Sequence, residues 1–201
     1  MNISISNGGI GMKVGNNMQQ RLAWAITGSG HYLRESLAIL NSLENVDVFL
    51  SRAAAEIIQQ YGFQSLLNAK GHRVFQDKTA SSVPVELFYQ GKYHTLVIAP
   101  ATSNTIAKMA YGFSDSLVTN LYAQAGKTRV PSIIFACDTA PELESEAPRE
   151  NVVKVYPRKI DLDNIAKLKM FEATTVVEDM QSLSESIQKS MYLATQSAIQ
   201  S

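Results

Sequence analysis

Two hydrophobic patterns alternate along this chain. Short, nearly unbroken apolar runs stand at Leu22-Ala23-Trp24-Ala25-Ile26, Val46-Asp47-Val48-Phe49-Leu50, Thr95–Ala99 and Pro131–Ala136. Such runs lack the polar alternation of a half-exposed strand, so they predict parallel strands buried on both faces. Between them the apolar spacing turns helical. Leu33, Leu37 and Leu40 recur at intervals of three and four across 31–43, and Ala53–Tyr61 makes a second helix that stops at Gly62. Another helix begins at Asn104 and ends at Gly112, and the next runs from an Asp115 N-cap to Ala125. Further on, Asn151–Val155 and Thr174–Val177 are β-prone. Asp161 reads as the N-cap of a helix reaching Met170, and Met180–Gln196 as a terminal amphipathic helix. The stretch from Phe63 to Gly91 is the least patterned, with a short strand around Arg73-Val74-Phe75. Strands alternating with helices over short turns predict an α/β chain. The expected architecture is a three-layer αβα sandwich on a doubly wound, mostly parallel, Rossmann-like sheet.

In such sheets ligands gather beyond the carboxyl ends of the strands. Those ends carry Thr27-Gly28-Ser29-Gly30, Ser51-Arg52, Pro100 to Thr105, and Cys137-Asp138. The third is the most telling: an apolar run stops at Pro100, and Ala101-Thr102-Ser103-Asn104-Thr105 lead into a helix. A helix cap needs one hydroxyl or amide, not four in a row. Side-chain donors beside orphan helix N–H groups suit a phosphate or a polar ring edge. No acids cluster at these ends, and His31, His72 and His94 show no ligand spacing, so no metal site is expected. The glycine turn fails as a dinucleotide fingerprint, because Leu33 stands where G-x-G-x-x-G needs its last glycine. No acid ends the second strand to hold a ribose; Ser51 and Arg52 are there instead. A hydroxyl at that place suits a single phosphate, so FMN matches better than NAD.

Composition narrows the partners. The chain has 201 residues, 45% of them hydrophobic, enough for one α/β domain with a sizeable core. Its 18 basic and 18 acidic residues balance, which removes bulk electrostatic attraction to nucleic acid or an anionic membrane. The single cysteine, Cys137, excludes an intramolecular disulfide and fits a reducing cytoplasm. No apolar run approaches the roughly 20 residues of a membrane span. Residues 1–20, rich in Asn, Gly and Ser, read as a flexible tail without a secretory leader. The rest reads as one domain over 21–201, a binding core at 21–138 with a C-terminal extension at 139–201.

The order of these motifs resembles the flavoprotein superfamily that includes the homo-oligomeric flavin-containing cysteine decarboxylases and the prenyl-transferring flavoproteins. There a G-x-S-type turn follows the first strand, a Ser or Thr ends the second, and a PASANT-like segment follows a later one. Here these stand as Gly28-Ser29-Gly30, Ser51 and Pro100-Ala101-Thr102-Ser103-Asn104-Thr105. A G-x-x-D-N-L element stands as Gly112-Phe113-Ser114-Asp115-Ser116-Leu117, with Ser116 in place of Asn. The resemblance implies FMN, with Gly28, Ser29, Gly30, Ser51 and Arg52 near the phosphate. Ala101, Thr102, Ser103, Asn104 and Thr105 would lie along the ribityl chain and ring edge, with Ser114, Asp115 and Ser116 nearby.

Departures from the pattern select a branch. The decarboxylases carry a catalytic histidine upstream of the PASANT strand, where this chain reads Pro84-Val85-Glu86-Leu87. Prenyl-transferring members carry an arginine after the D-N-L element, where Asn120 stands. The chain is more similar to the archaeoflavoprotein and dihydromethanopterin reductase branch. It shares that branch's W-x-I-T-G-x-G-H start, Trp24 to His31, and the arm VVKVYPRKID, Val152 to Asp161. The resemblance implies an FMN-dependent oxidoreductase that takes electrons from NAD(P)H to reduce the pterin ring of dihydromethanopterin in one-carbon metabolism. It also implies a homo-oligomer, a trimer or an assembly of trimers. The alternatives are an FMN electron carrier without its own small-molecule substrate and a cysteine-type decarboxylase with a relocated acid–base residue. Proton-donor candidates are His31, Tyr93 and Tyr111.

Overall fold

The structure, a computed structural model, describes residues 20–77, 82–147 and 151–200. The expected tail at 1–20 thus falls almost wholly outside the described residues. In chain order the elements are β1 (Arg21–Ile26), α1 (Leu33–Ser42), β2 (Val46–Leu50), α2 (Arg52–Gln60), α3 (Gln64–Leu67), β3 (Arg73–Gln76), α4 (Ser82–Tyr89), β4 (Tyr93–Ala101), α5 (Ser103–Ala110), α6 (Leu117–Lys127), β5 (Ser132–Ala136), β6 (Leu143–Ala147), β7 (Asn151–Val155), α7 (Lys159–Leu168), β8 (Thr174–Val177) and α8 (Met180–Gln200). Six strands form one sheet in the order β3-β2-β1-β4-β5-β8, and every pairing in it is parallel. The order in which strands are added to the sheet reverses between β1 and β4, so the topological switch point lies there.

The pleat of β1 explains the layers. Leu22, Trp24 and Ile26 face one side, where Leu33, Leu37 and Leu40 of α1, Ala54 and Ile58 of α2, and Leu183 and Ile187 of α8 cover them. Ala23 and Ala25 face the other side, under Ile106 and Met109 of α5, Leu117 and Leu121 of α6, and Ile165 and Leu168 of α7. Trp24 is fully buried, and its indole N–H donates to the Ala99 carbonyl at 2.8 Å, so its one polar atom is satisfied.

Several boundaries differ from the sequence expectation. The strand expected to stop at Ala99 continues through Pro100 to Ala101, and the ladder shifts register between Ile98 and Ala101. That irregularity accommodates a proline, which has no N–H to give the ladder. Ser116, not Asp115, caps α6: its hydroxyl accepts from Thr119 N–H while Thr119 Oγ1 accepts from Ser116 N–H. The Asp115 carboxylate is taken by Lys108 at 2.7 Å. Asp161 is not an N-cap either. It sits in the first turn of α7 and reaches back to the Arg158 backbone N–H and guanidinium, each at 2.8–2.9 Å. The 151–155 strand lies outside the main sheet; β6 and β7 pair antiparallel as a separate hairpin. The unpatterned stretch contains α3, β3 and α4.

One buried carboxylate ties four strands at the amino edge of the sheet. Asp47 of β2, fully buried, accepts from Arg21 Nε of β1 at 2.8 Å, from the Arg73 guanidinium of β3, and from the Tyr93 hydroxyl of β4 at 2.8 Å. Burial pushes its carboxyl up, but hydrogen bonds from Arg73 and Tyr93 and the two guanidinium charges outweigh burial and hold it below the usual carboxylate range. A folded-state value below the unfolded one stabilises the fold above the unfolded value, and this contribution is lost as pH falls through the folded value. Asp47→Asn should therefore cost roughly 3 kcal/mol in urea unfolding at neutral pH, since it leaves two arginines facing an uncharged amide. It should also flatten the decline in stability that the parent shows below about pH 4. Glu142→Gln, which breaks the exposed Lys154–Glu142 pair, should cost under about 1 kcal/mol.

Candidate functional site

The turn after β1 and the segment after β4 are joined by one side chain. Thr27, 1% exposed, donates its hydroxyl to the Pro100 carbonyl at 2.8 Å and accepts the Thr102 N–H at 2.8 Å. Its backbone N–H also donates to Pro100, at 3.2 Å. Neighbouring strand ends close up beside it: Ser51 N–H donates to the Ile26 carbonyl and Cys137 N–H to the Ala101 carbonyl. The ends of β2, β1, β4 and β5 thus form one continuous edge, with the β1–β4 crevice at its middle.

Two helices start at this edge. Ser51 caps α2 by accepting the Ala54 N–H at 3.0 Å, and Thr102 caps α5 by accepting the Thr105 N–H at 3.4 Å. Neither helix has an acid in its first turn. Their first N–H groups have no intrahelical acceptor and carry the positive end of each helix dipole, so both termini favour an anion. Arg52, exposed at the first position of α2, adds a cation. The glycines serve close packing here. A Cβ on Gly28 would lie 2.5 Å from Ala53 Cβ, so this glycine lets the α2 N-terminus approach the turn. A Cβ on Gly30 would meet the Tyr61 hydroxyl. Tyr32, at the start of α1, holds a left-handed backbone with φ 58°, a conformation bulky residues seldom adopt, and its ring meets Phe135 edge-on.

The expected site residues divide. Gly28, Ser29, Gly30, Ser51, Arg52, Thr102, Ser103, Asn104 and Thr105 come together at the crevice edge. Ser29 donates to the His31 carbonyl at 3.3 Å, and Asn104 is exposed. Ala101 is the exception among its neighbours: it is fully buried against the α5–α6 layer, and its carbonyl is taken by Cys137. Ser114, Asp115 and Ser116 precede α6, whose Leu117 N–H donates to Asp77 at the end of β3, so they stand at the outer end of the same edge. Of the proton-donor candidates, only His31 borders the crevice. Tyr93 is at the opposite edge of the sheet, buried on Asp47, and burial followed by that hydrogen bond raises its hydroxyl far above the ordinary tyrosine range. It is corrected as a donor on both counts. Tyr111 ends α5, a helix length from the crevice, exposed, with the Lys167 ammonium 3.6 Å from its ring centre.

The sequence reading passed over Thr27, read only as part of a turn, and Asp138, read only as a strand end. The Asp138 carboxylate accepts the Ser103 hydroxyl, tying the β5 end to the start of α5. Cys137 is a buried thiol pushed up to about 12 by desolvation, so at neutral pH it stays protonated and is no nucleophile.

Fold and crevice define a doubly wound α/β binding protein, built to hold a phosphorylated ligand of several polar parts at its switch point. The chain belongs to the Flavoprotein family, whose profile matches residues 12–199. It is 47% identical to DmrB of Burkholderia xenovorans, solved in complex with FMN and described as a cubic protein cage for redox transfer. That match covers 87% of this chain and 97% of DmrB, with a TM-score of 0.80. A dihydromethanopterin reductase (acceptor) of Methanosarcina mazei is 39% identical over 142 residues, which is 64% of this chain and 59% of that relative's length. An uncharacterised protein of Methanocaldococcus jannaschii is 33% identical over 84% of this chain and 95% of its own. Phenylacrylic acid decarboxylase from Aquifex aeolicus, at 22% identity over 79% of this chain and 81% of its own, shares the fold with a TM-score of 0.59.

The packing of the turn makes a graded prediction. Gly28→Ala should destabilise the protein by about 1–3 kcal/mol in thermal or urea unfolding, because Ala53 Cβ is fixed to the α2 backbone. Ala53→Gly in the same chain should recover part of the loss. Gly30→Ala should be milder, since the Tyr61 ring can swing away. Equal, negligible effects of both substitutions would contradict this packing.

Proposed function

We propose that this protein is an FMN-dependent oxidoreductase that reduces dihydromethanopterin to tetrahydromethanopterin with electrons from NAD(P)H, in one-carbon metabolism. The observation that carries the reading is that two helix N-termini with no acid in their own first turns, a glycine turn and a row of hydroxyls stand along one crevice, in a chain 47% identical to DmrB, which was solved in complex with FMN. The donor set fits the cofactor. Gly28, Ser29 and Gly30 with Ser51 and Arg52 offer backbone N–H groups, hydroxyls and a cation for a phosphate. Thr102, Ser103 and Thr105 offer hydroxyls to a polyol chain, and the exposed Asn104 amide can both donate to and accept from a ring edge.

Bound FMN supplies two-electron hydride chemistry between the nicotinamide and a polarised C=N bond of the pterin. The protein's own part is holding, orientation and proton handling. Thr27 keeps the two crevice walls at a fixed spacing, and Ser103 positions the Asp138 carboxylate at the rim. His31, beside the glycine turn, is the candidate we favour for exchanging a proton there. The buried, protonated Cys137 thiol packs beneath, with its S–H toward the His31 carbonyl at 3.9 Å. The same reading includes a homo-oligomer, a trimer or an assembly of trimers, supported by the cage of DmrB and by exposed Val152, Val153 and Tyr156 on and beside the β6–β7 hairpin.

The purified protein should be yellow and release FMN on denaturation. Reduced nicotinamide should bleach it anaerobically, and dihydromethanopterin should not be reduced without it. Ser51→Ala should weaken FMN binding by about tenfold while leaving the fold intact. A yellow protein that neither nicotinamide bleaches nor dihydropterin consumes electrons from would instead be the electron carrier. A colourless protein that takes up no added FMN would remove the whole reading.

A further inference from the structure

A second cavity opens at the amino edge of the sheet, about 560 Å³ in volume, between α8 and the starts of β4, β5 and β8. β4 runs from this edge to the crevice over eight residue steps, roughly 25 Å of extended chain, so the two sites are separate. Its polar wall is organised. Thr95, 1% exposed, is hydrogen-bonded to His94 Nδ1 at 2.9 Å and to the Ser190 hydroxyl of α8. Burial lowers the His94 imidazole below its usual range, so this wall is neutral at physiological pH. Two cations, Arg129 and Lys189, line the cavity and have no ion-pair partner among the described residues. Among the described residues none of the lining side chains is acidic, in a chain with equal numbers of acids and bases. The nearest carboxylate bonded to a lining residue, Asp47 on Tyr93, is already matched by Arg21 and Arg73.

Arg129 occupies an unusual place. It follows the last turn of α6 with φ 59°, and Val130 N–H closes back onto the Ala125 carbonyl. That left-handed position favours glycine, yet the chain carries its cation there. Apolar surface completes the cavity: Phe88, Pro131, Ile133 and Leu193. A volume of this size, apolar with a few convergent polar groups, is that of a small-molecule site.

From this cavity we infer that the protein binds a small organic anion at the amino edge of its sheet, a phosphate ester or carboxylate with a flat apolar body. Its charged group sits between Arg129 and Lys189 and its body packs on the exposed Pro131 and Leu193. At that distance from the crevice the ligand does not exchange electrons with a cofactor bound there, so the site is one of regulation or assembly control.

Phenyl phosphate titrated calorimetrically into the protein in saturating FMN should show one site per chain, with the flavin spectrum unchanged. Arg129→Gln and Lys189→Gln should each weaken binding by about tenfold, the effect of losing one charge-assisted contact. Ser190→Leu, which fills the cavity, should abolish binding, and inorganic phosphate should bind at least tenfold more weakly than phenyl phosphate. Circular dichroism of each variant reports its folding. Absence of binding, full affinity in both charge variants, or displacement of FMN by the probe would overturn the inference. So would a change of assembly size in Arg129→Gln with no probe binding, which would assign the cavity to a contact between copies. A protein that takes up no FMN but binds phenyl phosphate with these variant effects would sustain this site while removing the flavin reading.

Discussion

The hydroxyl of Thr27 is the contact on which the functional edge depends. At a switch point the connections that follow two neighbouring parallel strands lead to opposite sides of the sheet, β1 to β2 and β4 to β5, and nothing in the ladder holds the two strand ends together beyond the last pair. Thr27 supplies that hold, donating to Pro100 and accepting from Thr102 from a position shut off from water. Inside the protein such bonds are stronger than in water, and leaving either partner unmet is costly. With the two walls fixed, the caps Ser51 and Thr102 set the starts of α2 and α5, and both helix dipoles aim at one place.

The sheet divides its labour between its edges. At the amino edge the buried Asp47 gathers Arg21, Arg73 and Tyr93 and fastens four strands. At the carboxyl edge the polar groups of the crevice are only partly used among themselves, leaving N–H groups and hydroxyls for a ligand. Left-handed non-glycine backbone occurs at both edges, in Tyr32 beside the crevice and in Asn45, Arg129 and Ala173 ahead of β2, β5 and β8.

The central strands were legible because burial on both faces leaves an unmistakable apolar run; the bounds of β2 match the expectation residue for residue. The position of Gly28-Ser29-Gly30, Ser51 and Thr102 to Thr105 at one sheet edge was legible for a different reason: each follows directly on a buried apolar run, and a parallel sheet puts all such ends on one side. Caps were misassigned where two candidates stood close. Asp115 and Ser116 are adjacent, and the competing Lys108, seven residues before Asp115, decides which one serves the helix. β6 is not marked in the sequence because Leu143–Ala147 carries two glutamates and no apolar run.

Local pattern by itself determined most element types, the layered class, and which strand ends are rich in hydroxyls and glycine, because hydrophobic period and capping chemistry act over a few neighbouring residues. Only the tertiary structure decided that β4 stands between β1 and β5, that Thr27 meets a segment 73–75 residues away, and that Tyr93 belongs to the opposite edge from His31. Those facts depend on strand order and on contacts between distant residues. A parallel sheet is assembled through crossovers, and the spacing of residues along the chain carries no record of which strands will lie side by side.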